Sequence, residues 1–282
     1  MTTRVGPWEV ETIEAEPFAL DGGAMFGIVP RPRWSEIHQP DDAGRISLAA
    51  RCLLLRHDGG AVVLVDSGMG TRWLGRARET FQVEDRGGIA AAVAARGITR
   101  ESVTDVVVTH LHFDHAGGLV ETAPDRKPRP TFPAARVHVQ ARHFAWARSP
   151  SPRDRGSFRT ADFVPIEEQG LLVVHDGPGE VVPDLPVRLS HGHTPAMQMP
   201  LVVSGDLGVV FPSDLIPTLA HVQLPWVMAY DNQPVVTVEE KDALLVEACE
   251  RSWIVVSDHD PRVPAYRVVR DGARFVPVPC EL

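Results

Sequence analysis

The sequence predicts a mixed α/β fold, and three observations predict it. Short apolar, largely β-branched runs recur at Val106–Thr109, Val187–Ser190, Val209–Pro212 and Trp253–Ser257, the length and composition of buried strands. Two stretches carry helical signals instead. Residues 89–96 are alanine-rich and stop at Gly97; residues 237–249 place Val238, Leu244, Leu245 and Ala248 on one face, with Thr237 and Glu240 spaced as a capping box. Finally, each strand-like run is followed within three residues by a histidine or an aspartate. Ligand-type side chains at strand ends are how a rigid sheet holds a site to tight tolerance.

Taken in order, residues 8–15 alternate apolar and charged, as a half-buried strand does. Residues 28–45 hold three prolines and should form a loop; Met25, Phe26 and Trp34 around it are either core or an apolar wall over the site. Residues 47–56 and 61–65 read as a hairpin about Asp58-Gly59-Gly60, whose second strand delivers Asp66-Ser67-Gly68. Residues 72–82 read as a loop, and residues 121–134, with four prolines, as an irregular excursion. Residues 136–139 should be a short strand and 140–147 a helix carrying His143 and Trp146. The segment from Arg148 to Arg159, with Arg153 and Arg155 between, is either a solvated connection or a lid and anchor for an acidic group. Strands recur at 171–175, 187–190, 199–203 and 208–211, and residues 266–278 close the chain as a hairpin around Asp271-Gly272.

The densest chemistry follows the first of the four runs. His110, His112, Asp114 and His115 lie within six positions, before Gly117-Gly118. His110 and His112, two apart, can reach one side of a loop, while Asp114 and His115 can face a second position beside it. Imidazole and carboxylate are what zinc and similar borderline metals accept.

Composition narrows the classes. The 282 residues, 44% apolar and 23% charged, suit a substantial core, and the length alone allows one or two domains. A net charge of −9 argues against a general nucleic-acid surface. No run of 18 apolar residues exists, so no membrane span is expected. The N-terminal residues lack an apolar signal region, and Cys52, Cys249 and Cys280 form no paired motif, which points to reduced thiols in the cytoplasm. A small-molecule substrate is expected, and a homodimer is allowed.

The motif His110-x-His112-x-Asp114-His115 resembles the signature of the metallo-β-lactamase superfamily. Asp66-Ser67-Gly68, His191-Gly192-His193-Thr194-Pro195, Ser213-Asp214 and Asp258-His259-Asp260 resemble its other elements, in the same order. The resemblance implies a four-layer αββα sandwich forming one domain over residues 1–282, with two divalent ions at one edge, zinc first and manganese, iron or cobalt allowed. It implies that His110, His112 and His193 bind one ion, that Asp114, His115 and His259 bind the other, and that Asp214 bridges them. His193 is preferred to His191 because it directly precedes Thr194-Pro195, and Asp66 is expected to orient a ligating histidine rather than bind an ion. The reaction implied is hydrolysis by a metal-bridging hydroxide, with Asp114 accepting a proton and Tyr230 or His221 helping the oxyanion or the leaving group. The likeness is greatest to the lactonase and ester hydrolase branch. The alternatives are thioester or organophosphate triester hydrolysis, or a ligand-binding member without turnover.

Overall fold

A computed structural model describes residues 2–282, and its architecture is two seven-stranded sheets packed face to face with helices on both outer faces. In both sheets the strands lie side by side in chain order. The first comprises Thr2–Val5, Trp8–Glu14, Arg51–His57, Val62–Val65, Asp105–Val107, Arg136–Gln140 and Leu172–His175. Its first four strands are antiparallel and the last four parallel. The second comprises Gly179–Val182, Leu185–Ser190, Met197–Ser204, Leu207–Val210, Ile254–Val256, Ala265–Asp271 and Arg274–Pro279. Only Leu207–Val210 and Ile254–Val256 run parallel there, because helix Pro234–Glu250 lies in the crossover between them.

The period of two along each strand builds three apolar layers. Leu53, Leu55, Val63, Val65 and Val107 face Val187, Val202, Val209 and Val256 across the sandwich. Cys52, Leu54, Leu64 and Val106 point the other way, onto Ile89 and Val93 of helix Gly88–Ala94. Leu244, Leu245 and Ala248 of helix Pro234–Glu250 cover Met197, Met199, Val210 and Val255 of the second sheet. No helix among the described residues is long and apolar enough to cross a membrane.

The departures from expectation have physical reasons. Residues 72–82 are not all loop: Gly75–Phe81 is a helix that buries no residue, so it shows no apolar period. The long helix starts at Pro234, a proline in its first turn, so Thr237 lies inside it and the capping box does not form. The Thr237 hydroxyl donates to Gln233 O instead. Residues 45–48 pair with Phe18–Asp21 in a separate two-stranded sheet rather than extending the Arg51–His57 hairpin. The proline-rich excursion contains a small hairpin, Val120–Thr122 with Pro128–Pro130.

Glu16 lies beneath the loop that follows Asp66. Its Oε2 accepts the Gly70 N–H at 3.1 Å, Oε1 has no partner, and 1% of the residue is exposed. Burial, opposed by that hydrogen bond and helped by Asp85, lifts its pKa from 4.5 to about 7. The folded state therefore holds this proton more tightly than the unfolded chain. Stability present below about pH 4.5 is lost as the pH rises toward 7, by about 3 kcal/mol at most. Glu16→Gln should melt at higher temperature than the parent at pH 8 and at the same temperature at pH 4. A calorimetric pair at the two pH values checks this; equal melting at pH 8 refutes it.

Candidate metal centre

Strand Asp105–Val107 ends against a turn that Asp66 holds. The Asp66 carboxylate accepts Thr109 N–H at 2.7 Å, Thr109 Oγ1–H at 2.9 Å and His115 Nδ1–H at 2.8 Å. A single helical turn, Phe113–Ala116, then swings Asp114 and His115 beside His110 and His112. The turn is clamped backbone to backbone. A Cβ on Gly117 would sit 2.1 Å from Met69 O, and one on Gly118 would sit 2.1 Å from Ser67 O, so neither position admits a side chain.

Four donor atoms converge first. His110 Nε2 lies 3.0 Å from His112 Nδ1, and His112 Nδ1 lies 3.1 Å from His193 Nε2. Asp214 Oδ2 lies 3.0 Å from His193 Nε2 and 3.6 Å from His110 Nε2. A second set adjoins it through Asp214: one donor atom from each of His115, Asp214, Asp258 and His259 lies within 4.8 Å of the others. Asp214 Oδ1 is 3.1 Å from His259 Nε2, and Asp214 Oδ2 is 3.7 Å from His115 Nε2. The expected Asp114 is at the rim of this set, with Oδ2 3.6 Å from His259 Nε2 and 3.9 Å from His115 Nε2. Asp258 was not expected there.

The partners of the outer ring nitrogens fix which nitrogen faces inward. His193 Nδ1 donates to Asp231 Oδ1 at 2.9 Å, His115 Nδ1 to Asp66, and His259 Nδ1 to Ala49 O at 2.8 Å. Each inward Nε2 is thereby left with its lone pair toward the centre. His143, fully buried, ties two ligand-bearing loops together. Its Nε2 accepts Leu111 N–H at 2.7 Å and its Nδ1 donates to Pro195 O at 3.0 Å. Glu240 holds the start of the second of these loops, accepting from Ser190 Oγ at 2.6 Å and from the N–H groups of His191 and Gly192. His191 stays outside the cluster, its Nδ1 accepting from Ala196 N–H.

The electrostatics match a cation site. Burial and the neighbouring imidazoles push His110 and His112 well below their ordinary pKa. Burial opposes charge on His193 as well, yet Asp214 and Asp231 override it and lift it to about 10. Asp258 and Asp214 likewise hold His259 up at about 9. Carboxylates buried this deeply need positive charge, supplied by protons or by metal. His115 Nε2, His259 Nε2, Asp214 Oδ1 and Asp258 Oδ2 are buried with no hydrogen-bond partner. Histidine and carboxylate donors orphaned around common points fit divalent ions. Loading such a site displaces protons.

The cluster floors a cavity of about 280 Å³. Leu20, Met25, Phe81, Phe113 and Met228 form apolar walls, and Asp114, Tyr230 and Arg153 also line it. Met25 is thus a wall residue, whereas Phe26 and Trp34 are core, stacked at 5.5 Å. Tyr230 lines the cavity; burial and the charges of Asp21, Asp114 and Asp214 push its phenol pKa up. The expectation for His221 does not hold. It is buried behind the wall with both nitrogens engaged, Nδ1 with Thr218 Oγ1 and Nε2 with Met25 O, each at 2.8 Å. Burial pushes its pKa down to about 3, and the neutral ring gives its Nε2 proton to the Met25 carbonyl rather than to the cavity, which it does not line. Much of the basic segment is also spent on protein: Arg148 pairs with Glu167, Arg159 with Asp162, and Arg153 donates to Ala229 O and Asp231 O.

Comparison with known proteins agrees with this geometry. The sequence profile of the metallo-beta-lactamase superfamily matches residues 48–256. A probable metallo-hydrolase of Mycobacterium bovis and one of Mycobacterium tuberculosis are each 29% identical over 170 residues, covering 55% of this chain and 50% of theirs. The chain thus spans about half the length of the curated relatives it matches. Among solved structures, a probable metal-dependent hydrolase from Staphylococcus aureus superposes with a TM-score of 0.88 at 25% identity, covering 99% of each chain. AidC, a dizinc quorum-quenching lactonase in complex with a product, superposes with a TM-score of 0.80 at 17% identity, covering 100% of this chain and 97% of its own.

Proposed function

The chain belongs to the metallo-beta-lactamase superfamily, and on that premise we propose that it is a hydrolase using two divalent ions, zinc first, to open a small ester, above all a lactone with an apolar portion. The observation that carries this reading is the pair of donor sets sharing Asp214 at the floor of an apolar-walled cavity. The lactonase among the structural neighbours adds to it. His110, His112 and His193 would hold one ion; Asp114, His115 and His259 the other; Asp214 would bridge.

When bound, the two ions would bring the pKa of water to about 7 and polarise the scissile carbonyl. The chain's own residues do the rest. Leu20, Met25, Phe81 and Met228 take the apolar portion out of water and set the carbonyl over the floor. Asp114, at the rim between floor and wall, accepts the proton that the attacking water gives up. Tyr230 keeps its proton throughout the working pH range, since burial raises its pKa. Its hydroxyl can therefore donate to the oxygen that gains charge. Three free thiols suit a reducing compartment, and we infer a cytoplasmic setting from them.

The test is a panel of a lactone, an aryl ester, a thioester and a phosphotriester, ranked by kcat/KM with and without chelator. Chelator-sensitive turnover with the lactone preferred supports the reading; a preferred thioester or phosphotriester replaces the substrate class. Binding without turnover of any would indicate a ligand-binding role. Tyr230→Phe should lower lactone kcat/KM by about 100-fold, the scale of one lost oxyanion donor. An unchanged kcat/KM removes the hydroxyl from catalysis.

A further inference from the structure

We propose that Asp258 is a fifth protein donor to the second ion position, so that this position is built of two imidazoles and three carboxylates and takes a harder ion than the first. The inference rests on the two-ion reading above.

Asp258 sits at the end of strand Ile254–Val256, one residue before His259, and 1% of it is exposed. One carboxylate oxygen is accounted for: Oδ1 accepts the His259 N–H at 3.1 Å. The other, Oδ2, is buried with no donor and lies 3.6 Å from His259 Nε2. That nitrogen cannot satisfy it as a neutral imidazole, because the ring proton is on Nδ1, donated to Ala49 O. With His259 neutral, as an ion-binding imidazole is, Asp258 Oδ2 and His259 Nε2 would both turn lone pairs toward one dry point. Asp114 Oδ2 stands at the same 3.6 Å from His259 Nε2, and Asp214 Oδ1 at 3.1 Å. Donors bound to one ion at about 2.0–2.2 Å sit roughly 3–3.6 Å apart. Arg51, the nearby buried guanidinium, leaves Asp258 alone and donates to Ser257 O, Asp260 O and Glu14.

The two positions then differ in kind. The first has three nitrogens and one shared oxygen, which suits tetrahedral zinc. The second has two nitrogens and three oxygens, which suits the higher coordination and harder character of Mn²⁺ or Fe²⁺.

The experiment reloads chelator-treated full-length protein with equimolar Zn²⁺ and Mn²⁺, counts metals by mass spectrometry and records the Mn²⁺ magnetic resonance spectrum. The parent is expected to hold two ions, one of them manganese. Asp258→Asn should keep the first ion and weaken the second at least 10-fold, with loss of the manganese signal, and Asp258→Glu should recover part of it. A parent that binds fewer than two ions overturns the two-ion reading, and this inference with it. A parent with two ions and an Asp258→Asn protein of unchanged affinity and metal ratio overturns the inference alone. If Asp258→Asn does not fold, X-ray absorption at the manganese edge of the parent decides: six light donors, five from the protein and one solvent, support the assignment, and five or fewer overturn it.

Discussion

Asp214→Ala should empty both ion positions and lower kcat/KM by at least about a thousandfold. Asp214 is the one side chain the two donor sets share, with Oδ2 3.0 Å from His193 Nε2 and Oδ1 3.1 Å from His259 Nε2. Losing a group that merely orients a ligand costs about 10–100-fold in affinity, so losing a donor common to both positions should exceed that. Removing one preorganised electrostatic group from a hydrolytic site costs about 10²–10³ in rate, and here the ions go as well. The backbone should tolerate the change less well than the chemistry suggests. Ser213, the residue before, has a φ of +51° and is held by Thr109 Oγ1 at 2.9 Å. Circular dichroism alongside metal counting separates unfolding from ion loss. A folded Asp214→Ala protein that retains two ions would refute the bridging role.

Asp66→Asn should cost about 10–100-fold in affinity for the second ion and a comparable factor in kcat/KM, although Asp66 belongs to neither donor set. Its two oxygens accept from three donors, Thr109 N–H on Oδ1 and both Thr109 Oγ1 and His115 Nδ1 on Oδ2. An asparagine has one oxygen and one amide nitrogen. If the oxygen keeps Thr109 N–H, the amide faces His115 Nδ1 and forces that ring to carry its proton on Nε2, where the ion should bind. The reverse orientation sets an N–H against an N–H. Backbone strain does not confuse the test, because Asp66 has a φ of +63° and asparagine accepts that region readily. The check is a titration of the second ion, followed by calorimetry, with Asp66→Glu as a control for volume. An Asp66→Asn protein with parental affinity would mean that the His115 tautomer does not matter.

What the sequence disclosed, and what it hid, follows from the range of the interactions. Runs such as Val106–Val108 and Ile254–Val256 are buried on both faces and carry their own strand signal. The six-residue histidine cluster is local and needs no partner to be seen. Asp231, Glu240 and Asp258 are different. Asp231 lies 38 positions from His193 and Glu240 lies 50 from Ser190, so nothing in their neighbourhoods announces the contact. Asp258 is followed by His259 and Asp260, and only the folded structure separates their duties: His259 faces the centre, while Asp260 accepts backbone N–H groups of Arg262 and Val263. His221 misled because its position in the loop after Asp214 was legible but its facing was not. Helix Gly75–Phe81 escaped because a helix without a buried face has no apolar rhythm to detect.

The glycine clamp at Gly117 and Gly118 separates two halves of the molecule by how freely each can drift. Where main chain lies directly on main chain, nothing can be trimmed or enlarged without parting the ligand turn from the Asp66 loop. The facing wall is the opposite, since Leu20, Met25, Phe81 and Met228 present only flexible or apolar groups to the cavity. Substitutions there can reshape what the cavity admits while the ion-holding jaw stays still. A library confined to those four positions should therefore yield altered substrate preference with metal content unaltered.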